Sequence, residues 1–301
     1  MIRLAVILAL VGLLATSLAP AARADLSDKL GGLTAENAKG YLSPFPKALS
    51  STLNSGIFPS GRIPKMGIGL TLGVRVMGAS FGDGDRTYVP TDPVNFQSTS
   101  PTPVPTMIGD ENGASVPGQG GTTMMYPGGF NVDKFALAVP ELTVESVFGT
   151  RAVVRWFSAD FGDSDYGKID LLGIGGQHSL SQYFKGLPAD VAVGVFYQTL
   201  KLGKDKLIDT KALHVDVTAS KRYGKLFTVE PYLSVGYDTF DMNVNYKDAN
   251  DPTNNIAVKF DKQSNAHLAA GAQFSLVIAK LQAEVFSAAN TGASIGLSFG
   301  H

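Results

Sequence analysis

The stretch GIGLTLGVRVMG, residues 67–78, has aliphatic side chains at every second position and mostly glycine at the positions between them. Because successive side chains of a β-strand point to opposite faces, this pattern predicts a strand with one apolar face and one nearly bare face. A soluble β-sandwich would instead carry polar and charged side chains on its outer face. Glycine weakens a strand and marks a place where another group approaches the backbone. The pattern therefore raises the question of what covers the bare face.

The same alternation recurs along the chain and predicts about ten strands, within a range of ten to twelve. In each run one face is aliphatic or aromatic and the other is small or polar. An even number of such strands is typical of a transmembrane antiparallel up-and-down β-barrel. A periplasmic β-sandwich explains the alternation equally well, but not the abundance of Gly, Ala and Ser opposite the aliphatic side chains. The further runs are 135–148, 152–160, 168–178, 190–202, 213–220, 229–238, 268–276, 281–286 and 293–299.

The composition narrows the class of protein. The 301 residues carry a formal charge of -1, and the sequence has no basic patch, so nucleic acid is not an expected partner. There is no cysteine, which excludes disulfide bonds and thiolate chemistry. A mean hydropathy of +0.09 is too apolar for a disordered chain and too balanced for a helical membrane protein.

Residues 1–24 have the pattern of a secretory signal peptide. Arg3 precedes an apolar run over residues 4–18, and Ala22-Arg23-Ala24 forms a small-x-small cleavage site, with cleavage expected after Ala24. A membrane anchor is the alternative, but the run is shorter than the ~20 residues that span a bilayer. With the barrel pattern, the signal predicts localisation in the bacterial outer membrane.

The mature chain divides into an N-terminal helical segment over 25–65 and a barrel domain over 66–301, with a long extracellular loop at 79–129. Two short helices are expected over 34–42 and 43–56, the second with Pro44 at its first position and Gly56 as its stop. Phe45, Leu49 and Leu53 form one apolar stripe on that helix. We expect the segment 43–56 to plug the lumen and cover the bare face; the alternative is the periplasmic rim or the membrane surface.

One hairpin allows a prediction of register. A three-residue turn at Gly149-Thr150-Arg151 places Glu145 opposite Arg155 inside the barrel. A two-residue turn would turn Arg155 towards lipid, where a cation costs on the order of 2–4 kcal/mol. Pro140 cannot donate to a ladder, so it is expected at a bulge or at a strand end.

Titratable and polar side chains on the small or polar faces are candidates for lining the lumen. None of them forms a nucleophile–histidine relay along one strand, so no enzymatic activity is expected. The four histidines show no metal-binding spacing, and no glycine-rich loop has the features of a phosphate site, so neither a metal nor a cofactor is expected. The candidates are Arg75, Glu145, Arg155, His214, Asp216, Glu230, Tyr232, Asp238, His267, Gln273 and Glu284.

The C-terminal stretch GASIGLSFGH resembles the closing strand of bacterial outer-membrane proteins, although Phe299 is followed by Gly300 and His301. The stretches YLSPFPKALSSTLNSGIFPSGRIPK and ALAVPELTVESVFGTRAVVRWF are similar to segments of an uncharacterised family of outer-membrane β-barrel proteins, a domain of unknown function. The resemblance implies a fold, a location and contact with outer-membrane lipid and the assembly machinery. It implies no catalytic residues.

These observations predict an outer-membrane barrel with a binding or narrow transport role, with small hydrophobic molecules as the candidate ligand. A barrel of about ten strands is too narrow for an open porin channel. Several of its strands nevertheless carry mostly Gly, Ala and Ser on the inward face, which leaves space in the lumen for a plug or a ligand. A structural or surface-interaction barrel without transport is the alternative, and a lipid-modifying barrel enzyme is a third reading.

Overall fold

A computed structural model describes residues 26–160, 168–184, 186–203, 207–249, 251 and 253–300. The predicted signal peptide lies outside these residues. No helix among the described residues is long and apolar enough to cross a membrane.

Strands dominate the described chain, and all of the long ones belong to one sheet. Their bounds are β1 (Gly69–Ser80), β2 (Thr87–Tyr88), β3 (Val104–Pro105), β4 (Ala114–Pro117), β5 (Thr123–Tyr126), β6 (Lys134–Val147), β7 (Thr150–Asp160), β8 (Lys168–Ser179), β9 (Asp190–Leu202), β10 (Ile208–Ser220), β11 (Tyr223–Gly224), β12 (Phe227–Lys247), β13 (Asn255–Lys259), β14 (Gln263–Leu276), β15 (Ala279–Ser287) and β16 (Thr291–Gly300).

The sheet closes on itself as a ten-stranded antiparallel barrel, with β11 and β13 as two short additional strands on β12. Closure occurs between the first and last strands, where Val74 of β1 lies opposite Leu297 of β16. Closure gives both the first and the last strand a partner on each side, which matters in a membrane because unpaired backbone groups there cost several kcal/mol each. The predicted barrel is confirmed. We call the end that carries the 81–133 connection the loop end and the opposite end the turn end.

The outer face of the barrel wall is apolar near the turn end and polar near the loop end, as β12 shows. Near the turn end its outward side chains are apolar, including Leu233, Val235 and Tyr237, and each is more than half exposed. Towards the loop end the outward positions become Thr239 and Asp241. An outer belt that is apolar only over the turn-end part of the wall is what a membrane β-barrel presents to lipid, with the loop-end part facing water.

Three helices precede the barrel: α1 (Leu26–Gly31), α2 (Ala35–Tyr41) and α3 (Pro44–Leu53). Thr34 caps α2, accepting a hydrogen bond from the backbone N–H of Asn37 at 3.3 Å. Pro44 opens α3, where its missing N–H costs nothing. The two predicted helices are therefore present, and α1 is an additional one.

The N-terminal segment runs through the lumen from the loop end to the turn end. Leu33 lies at the loop end, where its carbonyl accepts from Tyr246 Oη at 3.0 Å. Helix α3 then descends inside the barrel, and Ser60 reaches Arg151 near the turn end, with its carbonyl 3.0 Å from Nη1. The plug prediction is confirmed, and the segment enters the lumen at the loop end, so that it runs through the barrel before it begins β1.

The connection between β1 and β6 spans residues 81–133 and is folded, not open. It contains the β2–β3 and β4–β5 pairs and two 3-10 turns, Asp83–Asp85 and Gln119–Gly121. It closes over the first helices: Asn37 exchanges two hydrogen bonds with the backbone of Thr91, at 2.9 and 2.8 Å. The long loop of the sequence is a cap on the loop end.

The register predicted for the β6–β7 hairpin is wrong. The turn has two residues, Phe148 and Gly149, both with positive φ, as a type I′ hairpin turn requires. A β-bulge between Val144 and Val147 shifts the pairing by one residue. Because the bulge restores the alternation, Arg155 still points inward despite the two-residue turn. Its cross-strand neighbour is Glu141, not Glu145.

The β6–β7 ladder covers only the turn-end half of these strands. Above the pair Glu141 and Arg155, β6 pairs with β1 alone and the remainder of β7 pairs with β8 alone. Pro140 stands at this point, and it has no N–H to continue the ladder towards β7. The expectation that Pro140 lies at a bulge or strand end is wrong: Pro140 lies inside β6, where it pairs with Val74 of β1, and the bulge lies further along, between Val144 and Val147. What ends beside Pro140 is the ladder to β7.

Candidate functional site

The lumen is the candidate site, and its loop-end half is apolar. Along β12 the inward face changes from Ser234 and Asp238 to Phe240, Met242 and Val244. Residues from other strands continue this lining and pack with the N-terminal helices in one buried cluster. They include Met77, Val139, Leu171, Leu200, Ile208 and Ala212.

Helix α3 fills this apolar half. Leu49 and Leu53 are fully buried and Phe45 nearly so, which places the predicted apolar stripe in the lumen. Phe45 meets Phe135 of β6 edge to face, with ring centroids 5.4 Å apart, the geometry that aromatic pairs prefer. A ten-residue helix is marginal alone in water, so its stability depends on this packing.

Below the helix, Arg155 holds the end of the segment. Its guanidinium donates to the carbonyls of Ser55 and Gly56 at 3.1 and 2.8 Å, and its Nε donates to Glu141 Oε2 at 2.9 Å. Glu141 also accepts from Arg75 Nη2 at 2.7 Å. The last carbonyls of a helix lack intrahelical partners, and a cation there also interacts favourably with the helix dipole. We call Arg75, Glu141 and Arg155 the latch.

Two further strands bind the same turn of the segment. Glu284 of β15 accepts from the backbone N–H of Gly56 at 2.7 Å and from Tyr232 Oη at 2.8 Å. Gln198 of β9 donates to the carbonyl of Leu53. The segment is therefore fixed at mid-lumen by side chains from β7, β9 and β15, and Glu141 of β6 acts on it only through Arg155.

A second polar cluster lies at the turn end. Glu230 accepts from Ser60 of the segment, from Ser220 at 2.7 Å and from Arg222 at 2.7 Å. Arg151 donates to the carbonyls of Ser60 and Arg62 at 3.0 and 3.2 Å. This cluster fixes the segment just before it leaves the lumen to begin β1.

The bare face of β1 now has an explanation. A small cavity of about 30 Å³ lies against Gly73, and Ile57 and Pro59 of the segment close its other side. Gly296 makes room for Arg75, because a Cβ at Gly296 would lie 2.5 Å from the Arg75 Nη1 atom. The N-terminal segment covers this face only in part as predicted: the residues beside Gly73 are Ile57 and Pro59, which follow the predicted 43–56, together with the latch arginine Arg75. Gly67 lies before β1 and is exposed.

A third buried group consists of His214, Asp238 and His267, on the adjacent strands β10, β12 and β14. The Nδ1 atoms of the two histidines lie 2.6 and 2.7 Å from different oxygens of Asp238. Phe286 stacks on the His267 ring, with centroids 5.6 Å apart. All three side chains are almost completely buried.

Two polar side chains of the first helices bind the cap at the loop end. Tyr41 Oη donates to the Gly128 carbonyl at 3.0 Å, and burial raises the pKa of this phenol above its usual range. Lys29 Nζ donates to the same carbonyl at 2.7 Å, and burial lowers the pKa of its ammonium group, against the opposing effect of Glu111. Both contacts fasten the first helices to the cap.

The whole sequence, residues 1–301, matches the profile of a family described as "Family of unknown function (DUF6588)". The chain belongs to the DUF6588 family. This match and the barrel confirm the resemblance to an uncharacterised barrel family that the sequence motifs indicated.

Among solved structures, this DUF6588 chain is similar to the Ralstonia pickettii toluene transporter TbuX. The alignment covers 86% of this chain and 98% of that chain, with 12% sequence identity and a TM-score of 0.19. A likeness at that TM-score carries no argument about function. A search of curated proteins gives no significant match.

The structure places all eleven lumen candidates of this DUF6588 chain on the inner face of the wall; ten are buried and Glu145 is half-buried. It brings Arg75 and Arg155 together in the latch, and His214, Asp238 and His267 together in one cluster. Glu145 lies apart from Arg155 and pairs with Arg151 and Lys280, at 3.5 and 3.4 Å.

Sequence reasoning missed Glu141, Arg151 and Gln198. Glu141 follows Pro140 and has the same parity as Glu145 on β6, and that parity is the signal that identifies it. Arg151 falls in the three-residue turn that the sequence predicts. Gln198 continues the inward face of β9 and could have been found by extending the alternation.

Proposed function

We propose that this DUF6588 chain is an outer-membrane barrel that binds small, largely apolar molecules in its lumen and passes them when its N-terminal segment is displaced. The observation that carries the proposal is the way the lumen is closed. A narrow barrel can be filled by the side chains of its own wall. Here the wall carries small residues at several inward positions, and a separate segment of the chain fills the space.

The chemistry of the lumen indicates the class of solute. Displacing α3 would uncover the apolar loop-end half of the lumen, which buries Leu49 and Leu53 in the closed state. A molecule with an apolar body could occupy the same surface, because apolar burial is non-directional and scales with area. The latch and the turn-end cluster would offer polar groups to one end of such a molecule.

The interrupted ladder beside Pro140 adds support. Leu137 of β6 and Phe157 of β7 both pack against the apolar cluster, and they belong to the parts of these strands that do not pair with each other. The wall next to the apolar compartment therefore lacks one ladder of hydrogen bonds. Moving β6 and β7 apart at this place breaks fewer backbone hydrogen bonds than moving apart two fully paired strands would.

A structural barrel without transport is the second candidate, and the tight packing of the segment favours it. The cavity against Gly73 holds little more than one water molecule, at about 30 Å³. In this reading the segment is a permanent core for the water-facing half of the barrel, and the cap is a surface for interaction with a partner.

A disulfide lock distinguishes the two candidates, because the chain has no native cysteine. Ser51 of α3 accepts from the backbone N–H of Asn290 at 2.8 Å, so the pair Ser51→Cys and Asn290→Cys joins the segment to the β15–β16 hairpin. The variants are expressed in the outer membrane of a Gram-negative host that excludes the fluorescent probe N-phenyl-1-naphthylamine. Uptake of the probe is followed with and without oxidation.

Transport through a displaced segment predicts uptake by the wild type, loss of uptake on oxidation of the double variant, and recovery on reduction. The single variant Ser51→Cys is the matched control and should be insensitive to oxidation. Wild-type uptake equal to that of host cells without the protein would contradict the transport proposal and favour the structural barrel. Unchanged uptake by the oxidised double variant would contradict displacement of the segment.

A further inference from the structure

The cluster of His214, Asp238 and His267 forms because three adjacent strands present these residues at the same height. His214 lies directly opposite Asp238 in the β10–β12 register. His267 lies opposite Gly236 in the β12–β14 register, two positions from Asp238 and on the same face. One possible ligand atom from each residue lies within 4.8 Å of the others.

The charge balance around the cluster leaves a deficit of positive charge. Asp216 and Asp238 are both buried in this sector of the lumen. Among the residues that the structure describes, neither is in an ion pair with Lys or Arg, whereas Glu284 binds the same Gly56 as Arg155 and lies beside the two arginines of the latch. Asp216 Oδ1 is buried and accepts no hydrogen bond from the described chain. Buried carboxylates without compensation are costly, so a positively charged group is needed here.

We propose that His214, Asp238 and His267 bind one divalent transition-metal ion of the zinc class. Two imidazole nitrogens and a carboxylate oxygen are a donor set that suits Zn²⁺ and the neighbouring first-row ions. The site supplies three protein ligands and leaves a fourth position, which a water molecule or a solute in the lumen can take.

Metal binding requires a change in where the two histidine rings carry their protons. Each Nδ1 that now donates to Asp238 must offer a lone pair to the metal. A neutral ring therefore moves its proton to Nε2, and a protonated ring releases one proton. Ligand atoms of a tetrahedral zinc ion lie roughly 3.3 Å apart. The contacts of 2.6 and 2.7 Å to Asp238 would therefore widen slightly, and any longer separation within the 4.8 Å set would shorten by at most about 1.5 Å.

A bound ion would also explain why the cluster lies beside buried carboxylates. One divalent charge would balance the negative charge on Asp216 and Asp238. The ring of His267 is already fixed by stacking on Phe286, which limits the reorientation that metal binding requires. The site is independent of transport, because a barrel that passes no solute could bind the same ion.

The test uses the full chain refolded in detergent and titrated with Zn²⁺ alone. We expect one ion per chain by calorimetry and by elemental analysis after dialysis. His214→Gln, His267→Gln and Asp238→Asn should each weaken binding by at least about tenfold. His178→Gln is the matched control, because His178 lies outside the cluster and pairs with Tyr183 and Thr150; it should bind zinc like the wild type.

Folding of each variant is checked by its heat-modifiable migration in a gel. X-ray absorption of the zinc-loaded wild type needs no variant and should count two imidazole ligands. The proposal is overturned if the wild type retains no zinc, if the spectrum lacks imidazole ligands, or if folded His214→Gln and His267→Gln bind zinc as tightly as the wild type. In the first case protonated histidines would supply the missing charge.

Discussion

Arg155 and Glu141 face each other across the β6–β7 hairpin, with Arg155 Nε donating to Glu141 Oε2 at 2.9 Å. This pair links the barrel wall to the plug, because the same guanidinium holds the carbonyls of Ser55 and Gly56. A double-mutant cycle tests the register. Glu141→Gln and Arg155→Met should show a coupling of about 1–3 kcal/mol in the free energy of unfolding, measured in urea with detergent.

The matched cycle pairs Glu145→Gln with Arg155→Met. Glu145 is held by Arg151 and Lys280, so the two effects should add to within about 0.5 kcal/mol. Coupling of Arg155 to Glu145 in place of Glu141 would mean that the bulge is misplaced and that the longer turn is correct.

Gly56 is a second position where the segment tolerates little change. Its φ of +63° favours glycine, and a Cβ there would lie 2.6 Å from Ser294 Oγ. Gly56→Ala should lower the free energy of unfolding by about 2–4 kcal/mol, through backbone strain and a steric clash. Gly120→Ala is the control: its φ is +69° but nothing lies within 4 Å, so only the strain of about 1 kcal/mol remains.

Adding Ser294→Gly to the Gly56→Ala chain separates the two causes. The double variant should recover the steric part of the loss and keep the strain. If Gly56→Ala and Gly120→Ala cost the same, the segment does not pack against β16 as described.

Asn37 fastens the cap to the first helices through its two hydrogen bonds with Thr91. Asn37→Leu leaves the backbone N–H and C=O of Thr91 unpaired, at a cost of about 1–3 kcal/mol. We expect faster cleavage within residues 81–133 in limited thermolysin digestion, read by mass spectrometry. Lys39→Ala removes only an exposed ion pair with Asp261 and should leave the digestion rate unchanged. Equal rates for Asn37→Leu and the wild type would show that Asn37 does not hold the cap.

The cap should also weaken at high pH. Burial raises the pKa of Tyr41 in the folded state, so the folded chain binds this proton more tightly than the unfolded chain. The contribution is intact below the unfolded pKa of about 10 and is lost as pH rises above it, by up to about 1.4 kcal/mol per pH unit. Unfolding measured between pH 8 and about 11 should show this decline, and Tyr41→Phe should reduce its slope. An equal slope in the variant would assign the decline to other groups.

The alternation of the sequence by itself determined which side chains enter the barrel. A strand has a period of two, so the face of His214 or Glu230 follows once a single neighbour on the same strand is assigned. The same pattern predicted the approximate number of strands and the apolar stripe of α3. These properties depend on the geometry of a single strand or helix, so a short segment of sequence is enough to predict them.

Other features depended on distant parts of the chain. A one-residue bulge decided that Arg155 meets Glu141, because a bulge shifts the pairing by one residue and leaves no reliable mark in the sequence. The direction of α3 through the lumen depends on contacts that the first helices make with residues far along the chain, such as Thr91 and Tyr246. The meeting of His214, Asp238 and His267 depended on the stagger of three strands, since residues so far apart in the chain become neighbours only when the barrel closes.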